Sequence, residues 1–519
     1  FTGNNYDGYR NFFLYFADWN SFGPSTSGEF YYEFLVNRAG SIETLDMFNH
    51  TNNIPSTLSV PPLYLSKNEK VTLNINIFSL KQGFKVFVRE PSSINYQDIN
   101  SNEGDYIDYY FIYSPPNKYD SPINSPSLDG IIQGYRLLTG EAPLYELPIF
   151  GFWQCKQRYH NQDEILSDAS EYRNRGLPVD GIVQDWQYWG DSQNWGPQWN
   201  PSQYENPGLM IDELHGMNFY FMISVWSKFG KNATCLQQFL DESTKLNETL
   251  LIEGTINSNM PWFDPYNSNS RALYYQCIKT VHFDIGVDAI WLDATEPEYY
   301  PDLNQYLDNK EITGNAVFDP YSLYVTSAVQ DGLNIDQPNK RVFHLTRSSF
   351  GGQQRTGGAI WSGDTTGNWD TFRRQIVAAT NFQLSGNPYW SQDIGGFFRP
   401  SGDCNYDCDW YRSLLIRWFQ FGAFCPIFRV HGNNVDTAYW NYGETVLNDV
   451  LLIDNLRYRL LPYIYTVSYW VTTYGYTLQR GLVLDFPDDI NVYNKSTQYM
   501  FGPNLLVSPV YKYDNRTDV

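Results

Sequence analysis

Between residues 149 and 430 the chain carries eight short apolar, β-prone runs separated by segments of helical texture. They are Ile149–Trp153, Gly181–Asp185, Phe219–Val225, Ala289–Asp293, Val342–Arg347, Ala359–Asp364, Tyr389–Ile394 and Phe424–Val430. Strands that alternate with helices build parallel sheets whose two faces are both covered, so each strand reads as continuously apolar. Eight such units are the number that closes a (β/α)8 barrel. The first intervening helix illustrates the pattern: Asn161 to Tyr172 places Asp163 and Glu164 in its opening turn, where acids suit the helix dipole, and stops before Gly176.

In a barrel of this kind the strand C-termini line the working face. Two runs end in a carboxylate in the same way, Val287-Asp288-Ala289-Ile290-Trp291-Leu292-Asp293 and Gly358-Ala359-Ile360-Trp361-Ser362-Gly363-Asp364. Either acid alone reads first as a helix cap or a loop tie. Two carboxylates on tips of one barrel are the minimal equipment for cleaving a glycosidic bond, one attacking the anomeric carbon and the other protonating the leaving oxygen. Asp185, Trp226, Arg347, Asp393 and His431 also fall immediately after, or at the end of, apolar runs.

These segments, together with Asp180-Gly181-Ile182-Val183-Gln184-Asp185-Trp186, Leu345-Thr346-Arg347-Ser348-Ser349-Phe350, Trp390-Ser391-Gln392-Asp393-Ile394-Gly395-Gly396-Phe397, Phe428-Arg429-Val430-His431-Gly432 and Arg457-Tyr458-Arg459-Leu460-Leu461-Pro462-Tyr463, resemble glycoside hydrolase family 31 in content and order. The resemblance runs from about residue 104 to 510. It implies Asp293 as nucleophile, Asp364 as acid/base, and Asp185, Trp226, Arg347, Trp361, Asp393 and His431 around the sugar. Trp226 and Trp361 are read as walls of the subsite, while Asp393 can instead organise the turn that follows it. Glu296 and Glu298 follow Asp293 too closely to share its position and are read as loop groups. The Trp-Leu-Asp-Ala-Thr-Glu-Pro sequence at Asp293 and Asp-Trp-Gln-Tyr-Trp at 185–189 are similar to the α-xylosidase branch. The expected activity is therefore a retaining, exo-acting α-xylosidase, with α-glucosidase or transglucosylase second and a non-catalytic carbohydrate-binding barrel as the reading from another class.

A net charge of −22 opposes a nucleic-acid partner, which requires clustered cations. Aromatic residues make up 18% of the chain and suit the C–H faces of an oligosaccharide or α-glycoside, although aromatic cores produce the same excess. No apolar run reaches the roughly 20 residues that span a bilayer. No cofactor is expected, and no metal, because Cys404 and Cys408 have no histidine at ligand spacing and read as a small disulfide. Cys425 reads as a buried thiol. Sequons at Asn49, Asn232, Asn247, Asn494 and Asn515 point to a secreted or lumenal glycoprotein. Nothing here bears on quaternary structure.

Around the barrel, residues 1–146 predict a β-rich, sandwich-like region from Phe30–Val36, Val71–Ile77 and Phe84–Val88. The barrel is expected over 147–472, with a final helix at Leu452–Tyr465. Residues 473–519, with strands at Leu478–Asp485 and Met500–Val510, read as the start of a C-terminal β domain.

Overall fold

The computed structural model describes residues 128–252, 260–295, 320–400, 404, 406–486, 489–493 and 495–513, with short strands between 43 and 112 and at 306–307 and 312–313. Phe30–Val36, Glu296 and Glu298 lie outside the described residues. In the N-terminal region Glu43–Met47, Phe84–Arg89 and Asp108–Ile112 form an antiparallel sheet in which Phe84–Arg89 is central. The run expected at Val71–Ile77 is divided between strands Lys70–Val71 and Asn74–Asn76.

The eight apolar runs form one parallel sheet, here β1 (Phe152–Lys156), β2 (Gly181–Gln184), β3 (Tyr220–Trp226), β4 (Ala289–Asp293), β5 (His344–Thr346), β6 (Gly358–Trp361), β7 (Trp390–Ser391) and β8 (Phe428–Val430). Neighbours pair in sequence order from β1 to β7, and β8 pairs with β1. A parallel bridge between Ile394 and Val430 completes the ring between β7 and β8. The strands are shorter than several of the expected runs, because the polar ends leave the ladder to become loops; Asp364 stands three residues beyond β6.

Sequence explains these elements locally. All five residues of β4 are buried, as are all five of β1, and each large apolar side chain so placed contributes about 1.5–3 kcal/mol. Gly181 opens β2 because a Cβ there would sit 2.1 Å from the Trp153 ring. Helix α1 (Gln162–Asn174) is capped by Asn161, whose side chain accepts the Glu164 N–H at 2.9 Å. No helix among the described residues is long and apolar enough to cross a membrane.

Two expectations are corrected. The helix expected at Leu452–Tyr465, α2, spans Glu444–Tyr474 and accommodates Pro462. Its ends come at Gly443 and Gly475, both at positive φ, and its middle is pinned by tertiary contacts: buried Arg457 donates to the carbonyls of Phe150, Ala423, Cys425 and Pro426 at 2.7–2.8 Å. The strand expected over Leu478–Asp485 ends at Gly481, and Leu482–Asp485 is one helical turn. Arg480 explains the fold-back, since it pairs with Asp485 at 2.9 Å and with buried Asp129 at 2.6 Å. Tyr499–Phe501 and Leu505–Val507 complete an antiparallel sheet with Gln479–Gly481.

Candidate active site

Asp293, at the tip of β4, is buried and faces Arg347 from the tip of β5, with Nη1 3.3 Å from its Oδ1. The register makes this pairing unavoidable: Leu292 lies opposite Thr346, and the Arg347 N–H donates to the Leu292 carbonyl at 3.3 Å. The chain then turns sharply. Ala294 adopts φ +49° and its N–H donates to Asp293 Oδ1 at 2.8 Å, while the Thr295 hydroxyl meets those of Thr346 and Ser348 at 2.9 Å. A left-handed alanine is unfavourable by about 1 kcal/mol, and the Thr295 contacts hold it in place.

Asp364 follows Gly363, whose φ of +72° gives the turn that carries the acid off β6; it is half-buried. One strand, β5, separates the two acid-bearing strands. Their fields meet at Asp185, after β2. Burial pushes the Asp185 carboxyl well above the usual carboxylate range, the charges of Asp293 and Asp364 add to that push, and the Trp186 N–H and the Arg429 cation oppose it. The Trp186 N–H reaches Asp185 Oδ1 at 2.6 Å.

His431, after β8, places Nε2 3.5 Å from Asp185 Oδ2 and Nδ1 3.0 Å from the Cys155 sulfur. Its ring stands edge-on to Trp291 at 5.2 Å. Burial, with Arg429 and Arg399 nearby, lowers its basicity well below that of an ordinary histidine, so the imidazole is neutral. Asp393, after β7, is fully buried and salt-bridged to Arg429; burial raises it to about 6 against the pull of that cation. Its carbonyl also accepts the Gly396 N–H at 2.8 Å, closing the turn that Gly395 and Gly396 make at positive φ. Asp393 thus organises the turn that follows it, as considered, and is held by an ion pair with Arg429 that the sequence reading did not include.

Trp226 and Trp361 differ. Trp226 stands directly across from Asp293 in the β3–β4 register, retains 8% exposure, and packs edge-on against Trp195 at 4.8 Å. The Arg347 guanidinium lies 5.9 Å from its ring centroid. Trp361 is wholly buried, edge-on to Trp291 at 5.3 Å and 5.8 Å from the Arg429 guanidinium, so in this structure it supports the site from within the barrel.

Three residues of this constellation escaped the sequence reading. Arg429 interrupts the apolar run Phe428-Arg429-Val430, and a cation in the middle of a buried strand was the signal that it had an acid to meet. Lys228, two residues beyond β3, is buried with its ammonium 4.3 Å from the Trp195 ring centroid and 4.5 Å from that of Trp226. Cys155 gave no signal, since small apolar residues are ordinary in a buried strand. Beyond Asp185 the tips of β1, β2 and β8 surround a cavity of about 660 Å³, with Gln157, Trp186, Gln187, Asn433, Asn434 and Asp436 among its walls. Its lining is mainly polar and includes none of Asp185, Asp293, Asp364 and His431.

The profile of the glycosyl hydrolases family 31 TIM-barrel domain matches residues 142–467, and that of the family's C-terminal domain matches 475–519. An α-xylosidase of Saccharolobus solfataricus is 41% identical over 414 residues, covering 78% of this chain and 52% of that protein. An α-glucosidase of the same organism is 25% identical over 419 residues, covering 75% and 60%. A solved structure of a family 31 α-xylosidase from a soil metagenome, complexed with xylose, superposes with a TM-score of 0.69 at 26% identity, covering 93% of this chain and 75% of that one. The chain therefore spans about half to three fifths of the length of these two curated relatives. With eight parallel strands closed in a ring, two acids on strand tips, and a profile match across the whole barrel, this chain belongs to glycoside hydrolase family 31.

Proposed function

We propose that the chain is the catalytic portion of a retaining, exo-acting α-glycosidase, with a terminal α-linked xylose as the preferred glycone. The observation that carries this reading is the buried Asp293–Arg347 pair at the β4 tip, with Asp364 projecting two strands further round the ring. Asp293 attacks the anomeric carbon as an anion stabilised by Arg347, and Asp364 donates its proton to the departing oxygen. In the second half, Asp364 takes a proton from water as that water displaces the β-linked ester, restoring the α configuration. His431 and Asp185 hold hydroxyls of the glycone, and Trp226 lies beside the nucleophile as a wall.

Xylose is placed first because the 41% identical relative is an α-xylosidase, in agreement with the sequence around Asp293. Glucose differs by one hydroxymethyl group, worth only about 1–3 kcal/mol of discrimination, which keeps an α-glucosidase or transglucosylase as the second reading. The test compares kcat/KM on aryl α-xyloside and aryl α-glucoside, follows the first-formed anomer by NMR, and includes Asp293→Ala. A faster xyloside reaction with retained configuration, lost in the variant, supports the proposal. Faster glucoside cleavage moves the assignment to α-glucosidase, whereas sugar binding without turnover by the folded chain makes it a binding protein.

Passage through a secretory or lysosomal lumen and N-glycosylation belong to the same proposal. Asn232 and Asn247 are exposed sequon residues, and Cys235–Cys277 and Cys404–Cys408 are disulfides, which persist in oxidising compartments. Glycopeptide mass spectrometry of the natural protein checks it; unmodified Asn232 and Asn247 would count against it.

A further inference from the structure

The loop that follows β3 buries a lysine among tryptophans. Lys228 is 4% exposed, and its ammonium lies 4.3 Å from the ring centroid of Trp195, 4.5 Å from that of Trp226 and 5.5 Å from that of Trp262. Backbone pairing fixes where the side chain starts. Lys228 forms an antiparallel bridge with Trp262, the Phe263 N–H donates to the Ser227 carbonyl at 3.0 Å, and the Phe229 N–H donates to the Pro261 carbonyl at 2.9 Å. The Gly230 N–H in turn reaches the Trp195 carbonyl at 2.7 Å. A buried indole is ordinarily oriented by a hydrogen bond from its N–H. Here the N–H groups of Trp195, Trp226 and Trp262 are buried and make no hydrogen bond among the described residues. What the three rings share is the ammonium, which is attracted to an indole face most strongly where water is excluded. An ammonium also costs more to bury than an apolar chain of similar length, so packing alone does not account for a lysine at this position.

We propose that Lys228 is a positioning residue whose ammonium fixes the plane of the Trp226 indole beside the nucleophile, so that the wall of the glycone subsite is ordered before the sugar arrives. Of the three tryptophans, Trp226 is the one set opposite Asp293 in the strand register. Arg347, which pairs with Asp293, lies 5.9 Å from the same ring centroid. The indole is therefore held by the lysine of the β3 loop and by the arginine that faces the nucleophile. A ring already in its bound orientation spares binding the entropy of ordering it, and the benefit appears in sugar affinity more than in the chemical step.

This inference rests on the proposed glycosidase reading for its sugar, and the experiment separates the two. Fluorine-19 spectra of protein labelled with 5-fluorotryptophan, with the Trp226 signal assigned by its loss in Trp226→Phe, report the order of the ring without any substrate. The wild type and Lys228→Arg, which keeps the cation, are expected to give one sharp Trp226 signal, whereas in Lys228→Met that signal splits or broadens. On the preferred aryl glycoside, Lys228→Met should raise KM roughly tenfold, the scale of one desolvated cation–π contact, with a smaller change in kcat, and Lys228→Arg should stay within about threefold of wild type. In a Trp226→Ala background, Lys228→Met should change KM less than about twofold, because residues that act through one contact are not additive. Circular dichroism verifies folding of each variant. A single sharp Trp226 signal in folded Lys228→Met, or an effect on KM that is fully retained in the Trp226→Ala background, overturns the proposal. Absence of turnover with the expected fluorine pattern refutes the glycosidase reading alone and leaves Lys228 as the residue that orders Trp226.

Discussion

Arg347 Nη1 lies 3.3 Å from Asp293 Oδ1, with the two side chains only 4% and 11% exposed. Nearly dry surroundings make this pair matter more than a surface ion pair, because neither charge can be screened by water once the other is removed. Arg347→Met should therefore lower kcat/KM by about two to four orders of magnitude, the equivalent of the ~3–5 kcal/mol cost of breaking a buried pair. Steady-state kinetics check this, and a loss below fivefold would show that Asp293 does not depend on Arg347.

The division of labour between the two acids is separable with azide. Asp364→Ala should retain the ability to form the glycosyl-enzyme from an activated aryl glycoside, and azide should accelerate its turnover to give the α-glycosyl azide. Asp293→Ala, lacking the nucleophile, should give the β-azide if it is rescued at all. NMR of the azide products distinguishes these outcomes, and the opposite anomers would exchange the two assignments.

Arg457 holds four carbonyls, from Phe150, Ala423, Cys425 and Pro426. Burial lowers it to about 10, so it remains charged at neutral pH. Arg457→Met leaves these acceptors without their donor in the interior and should destabilise the fold by at least ~3 kcal/mol, since each unsatisfied buried group costs about 1–3 kcal/mol. Lysine would restore the charge but not the planar fork. Urea unfolding of both variants measures it, and full recovery with Arg457→Lys would show that charge alone suffices.

Asp168, on α1, sits 3.4 Å from the buried ammonium of Lys156. Burial outweighs that attraction and raises its carboxyl from 3.8 to about 6. Between about pH 4 and 6 the folded state keeps a proton that the unfolded chain has released, so this contribution to stability is present at low pH and is lost as pH rises through 6. Asp168→Asn does not titrate. Relative to wild type it should gain up to about 3 kcal/mol between pH 4 and pH 7, the free energy of that displacement. Urea unfolding at both pH values tests it, and a pH-independent difference would place the carboxyl near its ordinary range.

The strand runs and the acids that end them were legible along the chain because they depend on local rules: a strand buried on both faces must be apolar throughout, and the turn that ends it admits a polar residue. Thus Asp293, Asp364, Asp185, Arg347 and His431 could be named from the sequence, and the barrel ring places the strands that carry them side by side or one strand apart. Helix α2 was underestimated because its length is set by Arg457 and by distant packing as well as by its own periodicity. The partners within the site were also not local. Cys155 meets His431, and Arg429 lies 5.8 Å from the Trp361 ring, only because a closed ring sets its first and last strands side by side and turns side chains from all sides onto one axis. Apolar periodicity specifies that strands exist and which residues end them; closure of the barrel alone decides which of those residues touch.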